Sequence, residues 1–253
     1  MNRRLAGVLA TAFAVVLIGA ATAALADTFI GTSDADHMNG SVTPDQLYGE
    51  DGDDEINGLA GNDYIEGGPG ADQIDAGPGA DLAIGGTGND RIDMGTGVDV
   101  VYAGADDDEI FGGAGADVLL GQAGADRIFG GPGDDRIYAA LGPDFVDAGA
   151  GRDRIIASEG DSTLNGGADN DEITASGGNF TVDGGAGDDR IETGSGTDTI
   201  TGGKGSDVIY SGGGDDMIDV DDGKRDTVYC GPGADTVKFD KRDVIRNCEI
   251  KNP

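Results

Sequence analysis

The chain has no tryptophan, one histidine and two cysteines. Only 7 Phe and 6 Tyr stand among its 253 residues. That shortage argues against a compact core of aromatic and long aliphatic side chains. A zinc centre would want Cys or His ligands, and His37 is the only histidine. Lys and Arg number 16 against 49 Asp and Glu. So anionic a surface excludes nucleic acid as a partner, because the nucleic-acid backbone is itself negative. Neither His-Glu-x-x-His nor Gly-x-Ser-x-Gly occurs. The Gly-Lys-Gly-Ser run at 203–206 lacks the order of a phosphate-binding loop. The reading is of a non-enzyme.

What is abundant is glycine, 49 residues, and acid, giving a formal net charge of -33. A Gly-rich polyanion buries too little apolar area to offset chain entropy and self-repulsion. It needs cations to become ordered.

The first 26 residues differ in kind. Arg3 and Arg4 precede an uncharged run from Leu5 to Ala24, and Ala24-Leu25-Ala26 offers a small-x-small cleavage site. That is the plan of a secretory signal peptide, with an uncleaved membrane anchor as the alternative. Export is the expectation, and removal of the segment takes the net charge to -35, since it carries two arginines and no acid. In an exported chain Cys230 and Cys248 are expected to pair, the alternatives being two free thiols or a weak metal site without a His partner.

From Gly31 to Asp219 the chain counts off in nines, 21 units without insertion or deletion. Examples are Gly67-Gly-Pro-Gly-Ala-Asp-Gln-Ile-Asp75 and Gly130-Gly-Pro-Gly-Asp-Asp-Arg-Ile-Tyr138. Position six is Asp in 19 of the 21 units, and position eight is Met, Leu, Ile or Val in 20, Ala83 being the exception. Position four is Gly in 17 of the 21. Glycines allow the tight turns, and Asp-x-apolar-x reads as a short strand with one side chain inward and its neighbours outward.

These units resemble the repeats-in-toxin (RTX) family, whose pattern is Gly-Gly-x-Gly-x-Asp-x-(large apolar)-x. The resemblance implies an all-β fold: a parallel β-roll, that is a two-sheet right-handed β-solenoid with 18 residues per coil. Residues 27–219 would form the roll and 220–253 a small cap of degenerate repeats closed by the disulfide. At about 4.8 Å per coil the rod would be about 50 Å long. The register slips by one residue near Lys224-Arg225, and Cys230–Lys238 is the last good unit.

Eighteen residues per coil divide the position-six residues into two ladders. The first runs Asp36, Asp54, Asp72, Asp90, Asp108, Asp126 and Asp144, then breaks at Ser162 and Phe180, and resumes with Asp198 and Asp216. The second runs unbroken through Asp45, Asp63, Asp81, Asp99, Asp117, Asp135, Asp153, Asp171, Asp189 and Asp207. In RTX repeats such carboxylates bracket Ca²⁺ ions and glycine-turn carbonyls complete the shell. Applied here, that predicts one continuous and one interrupted row of Ca²⁺, up to about 16 ions in all. It also predicts folding coupled to calcium.

Positions seven and nine should face outward. One sheet is mostly polar there. The other gathers Leu82, Ile84, Val100, Tyr102, Val118 and Leu120 on three successive coils. An exposed apolar block of this kind suits a protein partner, a second copy or a surface. The expected function is a secreted calcium-binding structural or adhesive module, the alternative being an accessory module of a polysaccharide-acting or hydrolytic enzyme.

Overall fold

The computed structural model describes residues 26–252. The apolar segment and all of the expected cleavage site but Ala26 lie outside the described residues. Among the described residues there is no helix, and so none long and apolar enough to cross a membrane.

Each half-coil contributes a short strand to one of two sheets of thirteen parallel strands, taken alternately, and the turn segments Pro78–Gly79 and Thr96–Gly97 pair as a small third sheet. Sheet 1 starts at Asp27–Ile30 and ends at Val244–Arg246. Sheet 2 starts at His37–Asn39 and ends at Ile250–Asn252. Leu47 lies beside Ile65, and Ile110 lies between Ile92 and Ile128, each step being 18 residues. The chain is therefore a β-solenoid of two nonapeptides per coil, as the period predicts.

The alternation of side chains follows the strand geometry. In Arg136–Ala140, for example, Ile137 and Ala139 are buried while Arg136 is exposed. Position eight forms two inward columns, among them Leu47, Ile65, Leu119 and Ile137 in sheet 1 and Ile56, Ile92, Ile128 and Ile218 in sheet 2. Ala83, the small exception, is fully buried in its column. The core is thus about one aliphatic side chain deep on each side. Backbone pairing between coils does much of the rest, as in Asp63 accepting from the Leu82 amide at 2.9 Å.

Position two turns the chain with φ > 0, at Gly68 (φ 113°) and Gly131 (φ 104°) for example. Four turns do this without glycine, at Glu50, Leu59, Gln122 and Ala140, with φ between 62° and 77°. Those L-residues hold a left-handed conformation that glycine adopts without strain.

Beyond Asp222 the strands continue in the same two sheets with a changed step. Ile209 pairs with Val228, 19 residues on, and Val228 pairs with Ile245 after 17. Cys230 and Cys248 form a disulfide across this terminal coil.

Candidate metal-binding ladders

The aspartates at position six sit at the start of each strand, where the glycine turn delivers the chain into the sheet. Their burial follows from that place: the side chain points inward, level with the core columns, one coil above the next. From Asp54 through Asp216 all the sequence-identified ladder aspartates are at most 3% exposed. Such burial of unpaired carboxylates is costly.

One oxygen of each carboxylate is used by the protein itself. Oδ1 accepts the backbone amide of the aspartate one coil earlier: Asp45 N–H to Asp63 at 2.8 Å, Asp63 N–H to Asp81 at 2.7 Å, Asp117 N–H to Asp135 at 2.8 Å. The same bond recurs along the first ladder, from Asp36 N–H to Asp54 and from Asp54 N–H to Asp72, both at 2.8 Å. The side chains are thereby held in register by the backbone.

The other oxygen, Oδ2, has no hydrogen-bond partner in 19 buried aspartates. Seventeen of these are sequence-identified ladder members, from Asp54 to Asp216; the other two are Asp226 and Asp235. Carbonyl oxygens lie close by. A Cβ placed on Gly58 would stand 2.8 Å from Asp63 Oδ2 and 2.6 Å from the carbonyl oxygen of Ala76 in the next coil. The glycine leaves room for two acceptors to approach one space with no donor between them.

Electrostatics agree with the geometry. Burial is the largest cause pushing these carboxyls up, with neighbouring carboxylates adding to it and the amide hydrogen bond opposing. Asp90, Asp108, Asp135 and Asp207 reach about 7. Asp72 and Asp81 reach about 6.

An orphaned, desolvated carboxylate oxygen beside carbonyl oxygens is a hard, all-oxygen donor set. Ca²⁺ fits it, since it takes six to eight oxygens in irregular geometry, whereas Mg²⁺ demands a tight octahedron. Among the described residues no three His, Cys, Asp or Glu side chains gather at one point. An ion here would therefore draw on backbone carbonyls as well as on carboxylates.

The ladders differ at three places. At the front, Asp36 and Asp45 are already satisfied within their own turns: Asp36 Oδ2 accepts from the Thr32 amide at 2.6 Å and Asp45 Oδ2 from the Ser41 amide at 2.5 Å. In the middle of the first ladder, the Asp144 amide donates to Ser162 Oγ at 3.0 Å, and Phe180 lies fully in the core where a carboxylate would stand. The carboxylate row is broken there, between Asp144 and Asp198. At the back, the ladders run further than the nine-residue frame shows. Asp207 N–H reaches Asp226, Asp216 N–H reaches Asp235, and Asp226 N–H reaches Asp243. The signal for these three was the Asp-x-Val/Ile-x pattern in Asp226-Thr-Val-Tyr, Asp235-Thr-Val-Lys and Asp243-Val-Ile-Arg, hidden by the register change.

The outer faces are placed as expected. Val100 lies beside Leu82 and Val118, and Tyr102 beside Ile84 and Leu120, all on the outside of sheet 1. Sheet 2 carries more apolar surface than its position-nine residues suggest. Phe111 and Phe129 stack at 5.1 Å, and Phe145, from position seven, joins them at 5.7 Å. Arg91 and Arg127 lie over these rings, and both pair with Glu109. His37 is outward and pairs with Glu55 at 2.7 Å.

A comparison with curated proteins finds no match. The family model for the RTX calcium-binding nonapeptide repeat matches at residues 24–54, 48–83, 84–119, 111–146, 147–179, 183–218 and 192–225. Those segments take in most of the chain and nearly every rung of both ladders, and the chain belongs to the RTX calcium-binding nonapeptide repeat family.

Proposed function

We propose that this calcium-binding repeat protein is a secreted structural or adhesive module at the cell surface or in the matrix, which folds when Ca²⁺ enters its two aspartate ladders. The observation that carries the reading is the set of 19 buried aspartate oxygens without a partner, stacked coil upon coil. Among the described residues no cation reaches that buried charge, because the arginines and lysines lie outside. Arg91, Arg127, Arg152 and Arg154, for instance, have half-exposed or exposed side chains and pair at the surface.

The ligands are the ladder aspartates, each ion taking carboxylate oxygen from successive coils and carbonyl oxygen from the turns. Asp36 and Asp45 contribute least, since their own turns already occupy them. Asp226, Asp235 and Asp243 extend the rows into the terminal coils. About 16 ions, the estimate from the regular units, would offset nearly all of the -35 of a chain without residues 1–26. Extracellular calcium modules bind at roughly 10⁻⁴–10⁻³ M, which suits a protein that orders on meeting the outside medium.

The roll occupies nearly all of the described chain and leaves no room there for a separate catalytic domain. That favours a binding or structural role over the alternative of an accessory module in a polysaccharide-acting or hydrolytic enzyme. Circular dichroism in EGTA, followed by calcium titration, tests the folding claim: a disordered spectrum turning to β-sheet is expected. A complete β-sheet spectrum in chelator at neutral pH would refute it. Capture from native extracellular material with and without calcium tests the role, and calcium-independent capture would count against it.

A further inference from the structure

The two outer faces treat their apolar blocks differently. On sheet 2 the protein's own Arg91 and Arg127 lie over the Phe111 and Phe129 rings, and Arg127 also reaches Phe145, which stays 37% exposed. On sheet 1 no arginine lies over the six-residue block centred on Val100 and Tyr102 among the described residues; Tyr102 is 39% exposed and the other five are half-buried. Its side chains stand in two straight columns, because the strands step by 18 residues without a shift.

The residues that border this block are unequal. One coil before it lie Tyr64 and Glu66, with Tyr64 Oη donating to Glu66 at 2.9 Å. One coil after it lie Arg136 and Tyr138. Arg136 is exposed and belongs to no ion pair among the described residues. An anionic edge and a cationic edge thus lie two coils to either side of the Val100–Tyr102 strand.

We propose that sheet 1 is a self-association surface, on which a second copy of this chain packs with its rod running the opposite way. An isologous contact brings one patch onto itself through a two-fold axis. For two faces in contact that axis lies in the plane between them. Along the rod, between the two columns, it would set each coil against its own copy, with Glu66 diagonal to Glu66 and Arg136 diagonal to Arg136. Along the strands, through Val100 and Tyr102, it reverses the order of coils. Leu82 then meets Val118, Ile84 meets Leu120, Tyr64 meets Arg136 and Glu66 meets Tyr138. Arg136 gains an aromatic face and a nearby carboxylate, and the apolar columns of both copies leave water. The charge pattern selects this second arrangement.

The association needs the folded rod, and so rests on the calcium reading only through folding. Calcium would also remove most of the repulsion between two polyanions. Sedimentation velocity on the protein as its host produces it, in calcium and at physiological salt, tests the proposal, with circular dichroism on the same samples to establish that each variant is folded. The wild type is expected to dimerise. Arg136→Glu and Glu66→Arg should each raise the dissociation constant at least about tenfold by setting like charges together. An equimolar mixture of the two variants should regain the dimer, because each then faces its opposite. A folded wild type that stays monomeric at micromolar concentrations would overturn the proposal. So would an Arg136→Glu variant as dimeric as the wild type, or a mixture that stays monomeric. An unfolded sample in calcium would instead strike at the calcium reading, which the spectra would reveal separately.

Discussion

Replacing Asp135 by Asn should move stability in opposite directions with and without calcium. Asp135 lies in the middle of the unbroken ladder, 1% exposed. Burial, with the carboxylates of Asp117, Asp153 and Asp134 adding to it, raises its carboxyl from 3.8 to about 7, against the pull of the Asp117 amide. At about 1.4 kcal/mol per pH unit, keeping that group ionised in a metal-free rod costs up to roughly 4 kcal/mol above pH 7. Asparagine keeps the acceptor for the Asp117 amide and removes the charge. Its new NH₂ lies beside Gly130 and the carbonyl of Ala148. The metal-free variant should therefore stay folded to higher pH than the wild type, read as the midpoint of a circular-dichroism titration in chelator. In calcium the same change deletes a carboxylate shared by the gaps on either side. Calorimetry should count up to two fewer ions per chain, and thermal stability should fall. If the metal-free midpoint stays put or drops, and the ion count is unchanged, the reasoning about this carboxylate is wrong.

The pH dependence of the whole rod follows the same sign. Asp90, Asp99, Asp108, Asp144, Asp171 and Asp207 are raised to about 7, and Asp72, Asp81, Asp153 and Asp226 to about 6. A raised folded-state value means that the fold holds protons the unfolded chain releases. Metal-free stability is then fullest below about pH 4 and is lost as pH rises through 6 to 7; urea melts in chelator at pH 4 and pH 7.5 would measure it. In saturating calcium the trend should reverse, since protons compete with the metal. Ser162→Asp extends the first ladder by one rung beside Asp144, and isothermal titration should find about one more ion. Gln122→Gly relieves a left-handed residue at φ 77° and should stabilise the calcium form by about 0.5–1 kcal/mol, seen as a higher melting temperature; Leu59→Gly should act alike.

Much of the fold was legible because its two periods are written in residue types. Asp at position six and an aliphatic at position eight, repeated every nine residues, define strand, face and coil together. The break in the first ladder was visible as Ser162 and Phe180, and the structure sends Phe180 into the core. Other features are settled by geometry that a frame of nines does not carry. Asp226, Asp235 and Asp243 join the ladders only because the sheets absorb steps of 19 and 17 residues. Asp36 and Asp45 look like any other rung in sequence, yet local amides from Thr32 and Ser41 claim their second oxygens. Phe145 completes an aromatic row from position seven, which a reading of position nine alone passes over.

Calcium in the aspartate ladders is what we propose holds this rod together, and anomalous diffraction from crystals grown in calcium would locate it. Two files of ions beside the turns are predicted, one continuous from Asp63 to Asp226 and the other interrupted between Asp144 and Asp198. A well-ordered roll whose aspartate turns carry no metal in calcium would contradict it.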